Sequence, residues 1–184
     1  MSALKKICKF IFDRIGWKAQ LNVAIPPKCV FVVAPHTSNW DFIMGEIMYQ
    51  AFEGDGKVNF LIKKEWFKFP FNYIMGPMGG VPVNRGHSTS LVTQLVNEFQ
   101  KRDKMRIAIT PEGTRKANPK WKMGFYHIAK SANVPILLVY LDYERKVAGI
   151  DEIFIPTDDE AADIQYIKQY YTQFQGKHPE SFAI

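Results

Sequence analysis

The sequence predicts a single α/β domain, a mixed sheet flanked by helices, with an amphipathic helix at its N-terminus. Two continuously apolar runs, Cys29–Ala34 and Ile136–Leu141, have the length and composition of strands covered on both faces. Segments with apolar residues every three to four positions alternate with such runs, the order that places helices on the faces of a sheet. The chain of 184 residues, 47% hydrophobic, is long enough for one sizeable core and shows no repeat, low-complexity stretch or linker.

The elements follow in order. Over residues 3–16, Leu4, Ile7, Cys8, Ile11, Phe12 and Ile15 recur at helical spacing, and Lys5, Lys6, Lys9 and Asp13 fall on other faces. Periodicity leaves two readings open: a helix packed on the core, or an interfacial helix on anionic lipid. Residues 1–19 are set apart as this segment and 20–184 as the domain proper. After the Pro26–Pro27 turn come a strand at Cys29–Ala34 and a helix from about Asn39 to Phe52. A glycine turn at Gly54–Gly56 leads to a strand at Val58–Ile62 and a short one at Gly80–Val83. Ser88–Lys101 reads as a helix through Leu91, Leu95 and Phe99, Arg106–Ile109 as a strand and Phe125–Ala132 as a helix. The buried strand Ile136–Leu141 follows, then an edge hairpin over 145–155 and a closing helix over 159–174. The aromatic run from Trp66 to Met75 is open to two readings, core or a hydrophobic wall near a lipid.

Composition narrows the functional classes. The two cysteines, Cys8 and Cys29, make neither a disulfide framework nor a metal site, which fits a reducing compartment. The longest apolar runs fall far below the ~20 residues of a spanning helix. Lys9, Asp13 and Arg14 interrupt any signal-peptide core. The chain is therefore expected to be cytoplasmic or peripherally membrane-bound, on the inner face of the cell membrane if its substrate is a lipid. A net charge of +6 suits phosphate-bearing partners in general. The basic residues are dispersed, unlike the clustered footprint of a nucleic-acid binder, so no nucleic acid is expected.

Three constellations follow predicted strands, where α/β folds place their sites. His36-Thr37-Ser38-Asn39-Trp40-Asp41 sets a histidine in a loop and a carboxylate in the first helical turn. An aspartate on one imidazole nitrogen fixes the tautomer and leaves the other nitrogen as a base. Alone, a His-x4-Asp spacing arises by chance in roughly one such chain in five. The plain alternative is a helix capped by Ser38 or Asn39, with Asp41 favouring the dipole. Pro111-Glu112-Gly113-Thr114-Arg115 offers a guanidinium fork for phosphate, a glycine for close approach and a hydroxyl. Gly79-Gly80-Val81-Pro82-Val83-Asn84-Arg85-Gly86 ends a short strand in a second arginine. No covalent nucleophile, cofactor or metal is indicated, and His127 reads as structural.

In this order, and with Val134-Pro135-Ile136-Leu137-Leu138-Val139 and Lys122-Met123-Gly124-Phe125-Tyr126-His127-Ile128-Ala129, these segments resemble the four blocks of the glycerolipid acyltransferases. The resemblance spans roughly residues 29–141 and is to the bacterial 1-acylglycerol-3-phosphate (lysophosphatidic acid) acyltransferase family. It implies that His36, oriented by Asp41, deprotonates an acceptor hydroxyl for direct attack on an acyl thioester. Arg85, Glu112, Gly113, Thr114 and Arg115 would then form the site for the acceptor's phosphate or polar headgroup. The donor implied is acyl-CoA or acyl carrier protein, the acceptor a lysophospholipid, the setting phospholipid biosynthesis at an anionic membrane surface. Asn84 stands where many members have an aspartate. Two alternatives are an O-acyltransferase of an amino-acid-containing lyso-lipid and a non-catalytic lipid-phosphate-binding protein.

Overall fold

A computed structural model of the chain describes residues 3–52, 57–63, 73, 79–83 and 88–184. Helix α1 (Ala3–Arg14) leads into strand β1 (Lys18–Leu21), then β2 (Lys28–Val33), α2 (Trp40–Phe52), β3 (Val58–Lys63) and β4 (Gly80–Val83). They are followed by α3 (Ser88–Lys101), β5 (Met105–Ile109), α4 (Gly124–Ala132), β6 (Ile136–Asp142), β7 (Val147–Phe154) and α5 (Glu160–Tyr171).

Among the described residues the strands form one seven-stranded sheet in the order β1-β7-β6-β2-β5-β3-β4. The run from β6 through β2, β5 and β3 to β4 is parallel. Strand β7 pairs antiparallel with β6 and parallel with β1. The sheet is thus mixed, as its sequence predicts.

Alternation along the strands sorts side chains into two cores. Val30, Val32, Ile107, Ile136 and Leu138 face α3, α4 and α5, where they meet Leu95, Phe99, Phe125, Ile128 and Ile167. Phe31, Leu137, Val139 and Leu141 face α1 and α2, where they meet Phe12, Met44, Met48 and Tyr49. Neighbouring strands β2 and β5 therefore send their following helices to opposite faces. A crevice opens at their carboxyl ends, the topological switch point where open α/β sheets take ligands.

One expectation needs correction, and one strand was not foreseen. Residues 145–155 are not a hairpin at the sheet's edge. They supply one strand, β7, whose hairpin partner is β6, with the turn at 143–146 between them. Strand β1, unforeseen because Lys-Ala-Gln-Leu is short and half polar, takes the edge position outside β7.

Helix α1 packs one face on the core and leaves an apolar stripe exposed on another. Cys8 and Phe12 are buried against the domain, and the Lys5 ammonium donates to the Phe52 carbonyl at 2.8 Å. Leu4, Ile7, Ile11 and Ile15, one helical stripe, stay exposed, and so does Phe10, at 67%. Among the described residues no helix is long and apolar enough to cross a membrane.

Candidate active site

The chain leaves β2 at Val33 and reaches His36 three residues later. Ser38 turns it into α2, its hydroxyl accepting the Trp40 N–H at 3.2 Å as a local cap. Asp41, in the first turn of α2, is only 2% exposed and points back over the loop. Its Oδ2 accepts the N–H groups of Thr37 at 2.9 Å and Ser38 at 2.8 Å, and lies 3.1 Å from Nδ1 of His36. Its Oδ1 accepts the hydroxyl of Tyr143 at 2.7 Å. Capping and a His–Asp pair are therefore parts of one loop, not rival explanations. The carboxyl thus faces four donors at the start of α2. With Nδ1 donating to Asp41, Nε2 is the basic nitrogen of the ring.

The loop after β5 lies beside it. Gly113 has φ +64, a left-handed conformation that side chains disfavour. A Cβ there would also lie 2.7–2.8 Å from Cε, Cδ and Nζ of Lys122, whose side chain crosses the glycine. Asn118 donates to the Glu112 carbonyl at 2.9 Å, and Lys122 N–H to the Pro111 carbonyl at 2.7 Å, which fold the loop back on itself. The Arg115 guanidinium donates to Oδ1 of Asn39, bridging the two loops.

Glu112 is fully buried. Its Oε1 accepts the backbone N–H of His36 at 2.7 Å, and its Oε2 has no hydrogen-bond partner among the described residues. Burial pushes its carboxyl up to about 7. The His36 N–H works against that shift and the charge of Asp41 adds to it.

A cavity of about 670 Å³ joins these parts. His36, Asp41, Gly113, Arg115 and Lys122 line its polar end. From there its mostly apolar lining extends along α2 past Phe42 and Gly45 to Val139 and Ile150 of the sheet, and to Leu91 of α3 and Phe125 and Ile128 of α4. Its size lies within the ~300–1,000 Å³ of small-molecule sites. A Cβ on Gly45 would meet nothing within 4 Å, so this glycine in mid-helix leaves open space.

Of the residues singled out in the sequence, His36, Asp41, Gly113 and Arg115 thus share one cavity. Glu112 is beneath the His36 backbone instead, and Thr114 is at its side, with a hydroxyl accepting the Lys116 N–H at 3.3 Å. Arg85, and the aromatic run apart from Tyr73, fall outside the described residues. Sequence reasoning passed over Tyr143 and Gly45 and gave Lys122 no role. A tyrosine after a strand and a glycine in a helix carry no local signature. Among the described residues no group of three or more His, Cys, Asp or Glu side chains is placed to hold a metal.

Comparison with known families gives one match. The family described as Acyltransferase matches residues 21–142, from the last residue of β1 to the last of β6, well over half of the chain. No curated protein matches the chain.

Proposed function

The chain belongs to the glycerolipid acyltransferase family, and from that premise we propose that it moves a fatty acyl group from acyl-CoA or acyl carrier protein to a lysophospholipid hydroxyl, with 1-acylglycerol-3-phosphate the preferred acceptor. The observation that carries this reading is the His36–Asp41 pair at the polar end of a long apolar cavity, with two cations beside it.

In this reading the acyl chain of the donor occupies the space between α2 and the sheet, with the thioester carbonyl near His36. Nε2 takes the proton of the acceptor hydroxyl as its oxygen attacks that carbonyl, and Asp41 stabilises the imidazolium. The tetrahedral intermediate collapses with cleavage of the C–S bond. The imidazolium returns its proton to the departing thiolate, leaving an ester and a free thiol. No acyl-enzyme is formed. Arg115 and Lys122 hold the acceptor's phosphate, Arg115 through its planar fork. Glu112 fixes the loop that carries His36 and does not contact the headgroup.

The same reading places the enzyme on an anionic membrane through the exposed stripe of α1. A contiguous apolar face beside lysines is suited to the interface, where each basic residue adds ~1 kcal/mol of salt-sensitive attraction. Ile7→Gln with Ile11→Gln tests this without touching the buried Cys8 and Phe12. Flotation with anionic vesicles should fall while the melting temperature holds.

The test of the activity is an assay of purified protein with acyl-CoA and acyl carrier protein donors against a panel of lyso-lipids, with products identified by mass spectrometry. Phosphate-bearing acceptors should give ester. Binding of such lipids without turnover would favour the non-catalytic alternative.

A further inference from the structure

Asp41 can align His36 only if its own carboxyl plane is fixed. The torsion at the end of an aspartate is broad and nearly two-fold, so an unheld carboxylate exchanges its two oxygens. Here Oδ2 has three contacts, His36 Nδ1, Thr37 N–H and Ser38 N–H, and Oδ1 has the Tyr143 hydroxyl at 2.7 Å.

We propose that Tyr143 is a positioning residue for acyl transfer: its hydroxyl, given to Oδ1 of Asp41, fixes the carboxylate so that Oδ2 faces His36. Tyr143 is one residue beyond the span that matches the family, in the turn between β6 and β7, and the inference rests on the acyl-transfer reading above.

A residue can position another only if it is held itself, and Tyr143 is held on three sides. Asp142 before it is buried and closes the turn, its Oδ1 accepting the N–H groups of Glu144 at 3.1 Å and Arg145 at 3.2 Å. Arg145 donates to the other Asp142 oxygen at 2.6 Å. The Tyr143 N–H donates to the Gln175 carbonyl at 2.9 Å, which ties the turn to the segment after α5. Its ring meets Trp17 edge-on at 5.0 Å and 88°. Trp17 follows α1 and is buried, so the hydroxyl is anchored from both ends of the chain.

The charged surroundings leave the hydroxyl a donor. Burial, then the hydrogen bond to Asp41 and its charge, push the Tyr143 phenol well above its ordinary range. On the Asp41 side the titratable neighbours are His36 and Glu112. On the Tyr143 side, Lys146 of the turn and Lys177 of the C-terminal segment line the same small cavity of about 260 Å³.

The direction of the effect follows. A carboxylate that loses a donor holds more charge on its remaining contacts and binds an imidazolium more tightly. The base is then available only at higher pH.

The test is Tyr143→Phe, which keeps the ring against Trp17 and removes only the donor. With wild-type transfer established, kcat should fall about tenfold, the scale of one hydrogen bond to a charged group. Both KM values should hold, and the acidic limb of the pH–rate profile should move up by about half a unit to one unit. Replacing Tyr143 with 3-fluorotyrosine, a stronger donor, should restore turnover and move the limb below its wild-type position. Unchanged kcat and an unchanged limb in Tyr143→Phe would overturn the proposal. So would a Tyr143→Phe defect that 3-fluorotyrosine fails to repair, since that defect would be one of packing. Should the phenylalanine variant not fold, the fluorotyrosine protein alone decides, because its limb must shift toward lower pH if the donor acts through Asp41. If the wild-type protein transfers no acyl group, it is the acyl-transfer reading that fails. Long-range nitrogen–proton correlation of the His36 ring still tests Tyr143: the imidazole titration must move between wild type and variant.

Discussion

Two buried carboxylates lie against the same histidine, and their surroundings treat them in opposite ways. Asp41, in the loop after β2, faces four donors and the start of a helix. Glu112, in the loop after β5, has one donor and an oxygen with no hydrogen-bond partner, and its carboxyl is pushed up to about 7. The first faces the His36 ring. The second holds the His36 backbone and is burdened by its own charge. Proximity to the same histidine therefore does not define a role. The donors each carboxylate receives do.

Substitution separates the two most sharply. Asp41→Asn should lower kcat by ~10²–10⁴-fold with the fold intact, because the amide stabilises neither the right tautomer nor the imidazolium. Steady-state kinetics beside a thermal melt checks this. Glu112→Gln should instead retain most turnover, since the amide oxygen still accepts the His36 N–H. If the two variants lose activity equally, the contrast drawn between them is wrong.

The polar rim comes next in size. Arg115→Ala should raise the acceptor KM about 10- to 150-fold, the ~1.5–3 kcal/mol of a charged hydrogen bond. Arg115→Lys should not rescue it fully. A loss confined to the thioester donor's KM would place the donor's phosphates there instead.

The stability of the protein should fall as pH rises through the range where Glu112 loses its proton. Glu112 has a raised pKa in the folded protein, so the folded state holds its proton more tightly than the unfolded chain. Its burial then costs nothing below about pH 4.5, grows between about 4.5 and 7, and stays constant above. Glu112→Gln should remove that slope and stabilise the protein at pH 8 by at most about 3 kcal/mol. Denaturant titrations of both proteins at pH 5 and 8 measure it.

The smallest effect expected is one of selectivity. Gly45→Phe should fill part of the cavity and shift the preference toward shorter acyl chains. Gly45→Ala should change selectivity little and stabilise α2 by up to ~1 kcal/mol. A competition assay with mixed-length donors reads the first, and unaltered preference would remove the acyl chain from this cavity.

Much of this was legible in the sequence. The apolar runs at Cys29–Ala34 and Ile136–Leu141 mark the central strands, since only strands covered on both faces can be apolar without alternation. That His36, Asp41 and Arg115 lie near one another was legible, because each follows a strand whose carboxyl end faces the same crevice. Strand β1 was not, because four half-polar residues acquire strand character only from pairing with β7. The inward turn of Glu112 was hidden too. Nothing in Pro-Glu-Gly-Thr-Arg says that the glutamate meets a backbone N–H 76 residues away. Tyr143 reaches Asp41 across 102 positions, a contact that the fold creates and no local pattern announces.

The central claim is that His36 acts as the base in a direct acyl transfer. It is tested most directly by turnover of a His36→Ala protein, shown by circular dichroism and melting to be folded, with acyl thioester and 1-acylglycerol-3-phosphate. The expected result is a loss of ~10²–10⁴-fold in kcat, with lipid binding preserved. Wild-type-like turnover in that variant would contradict it.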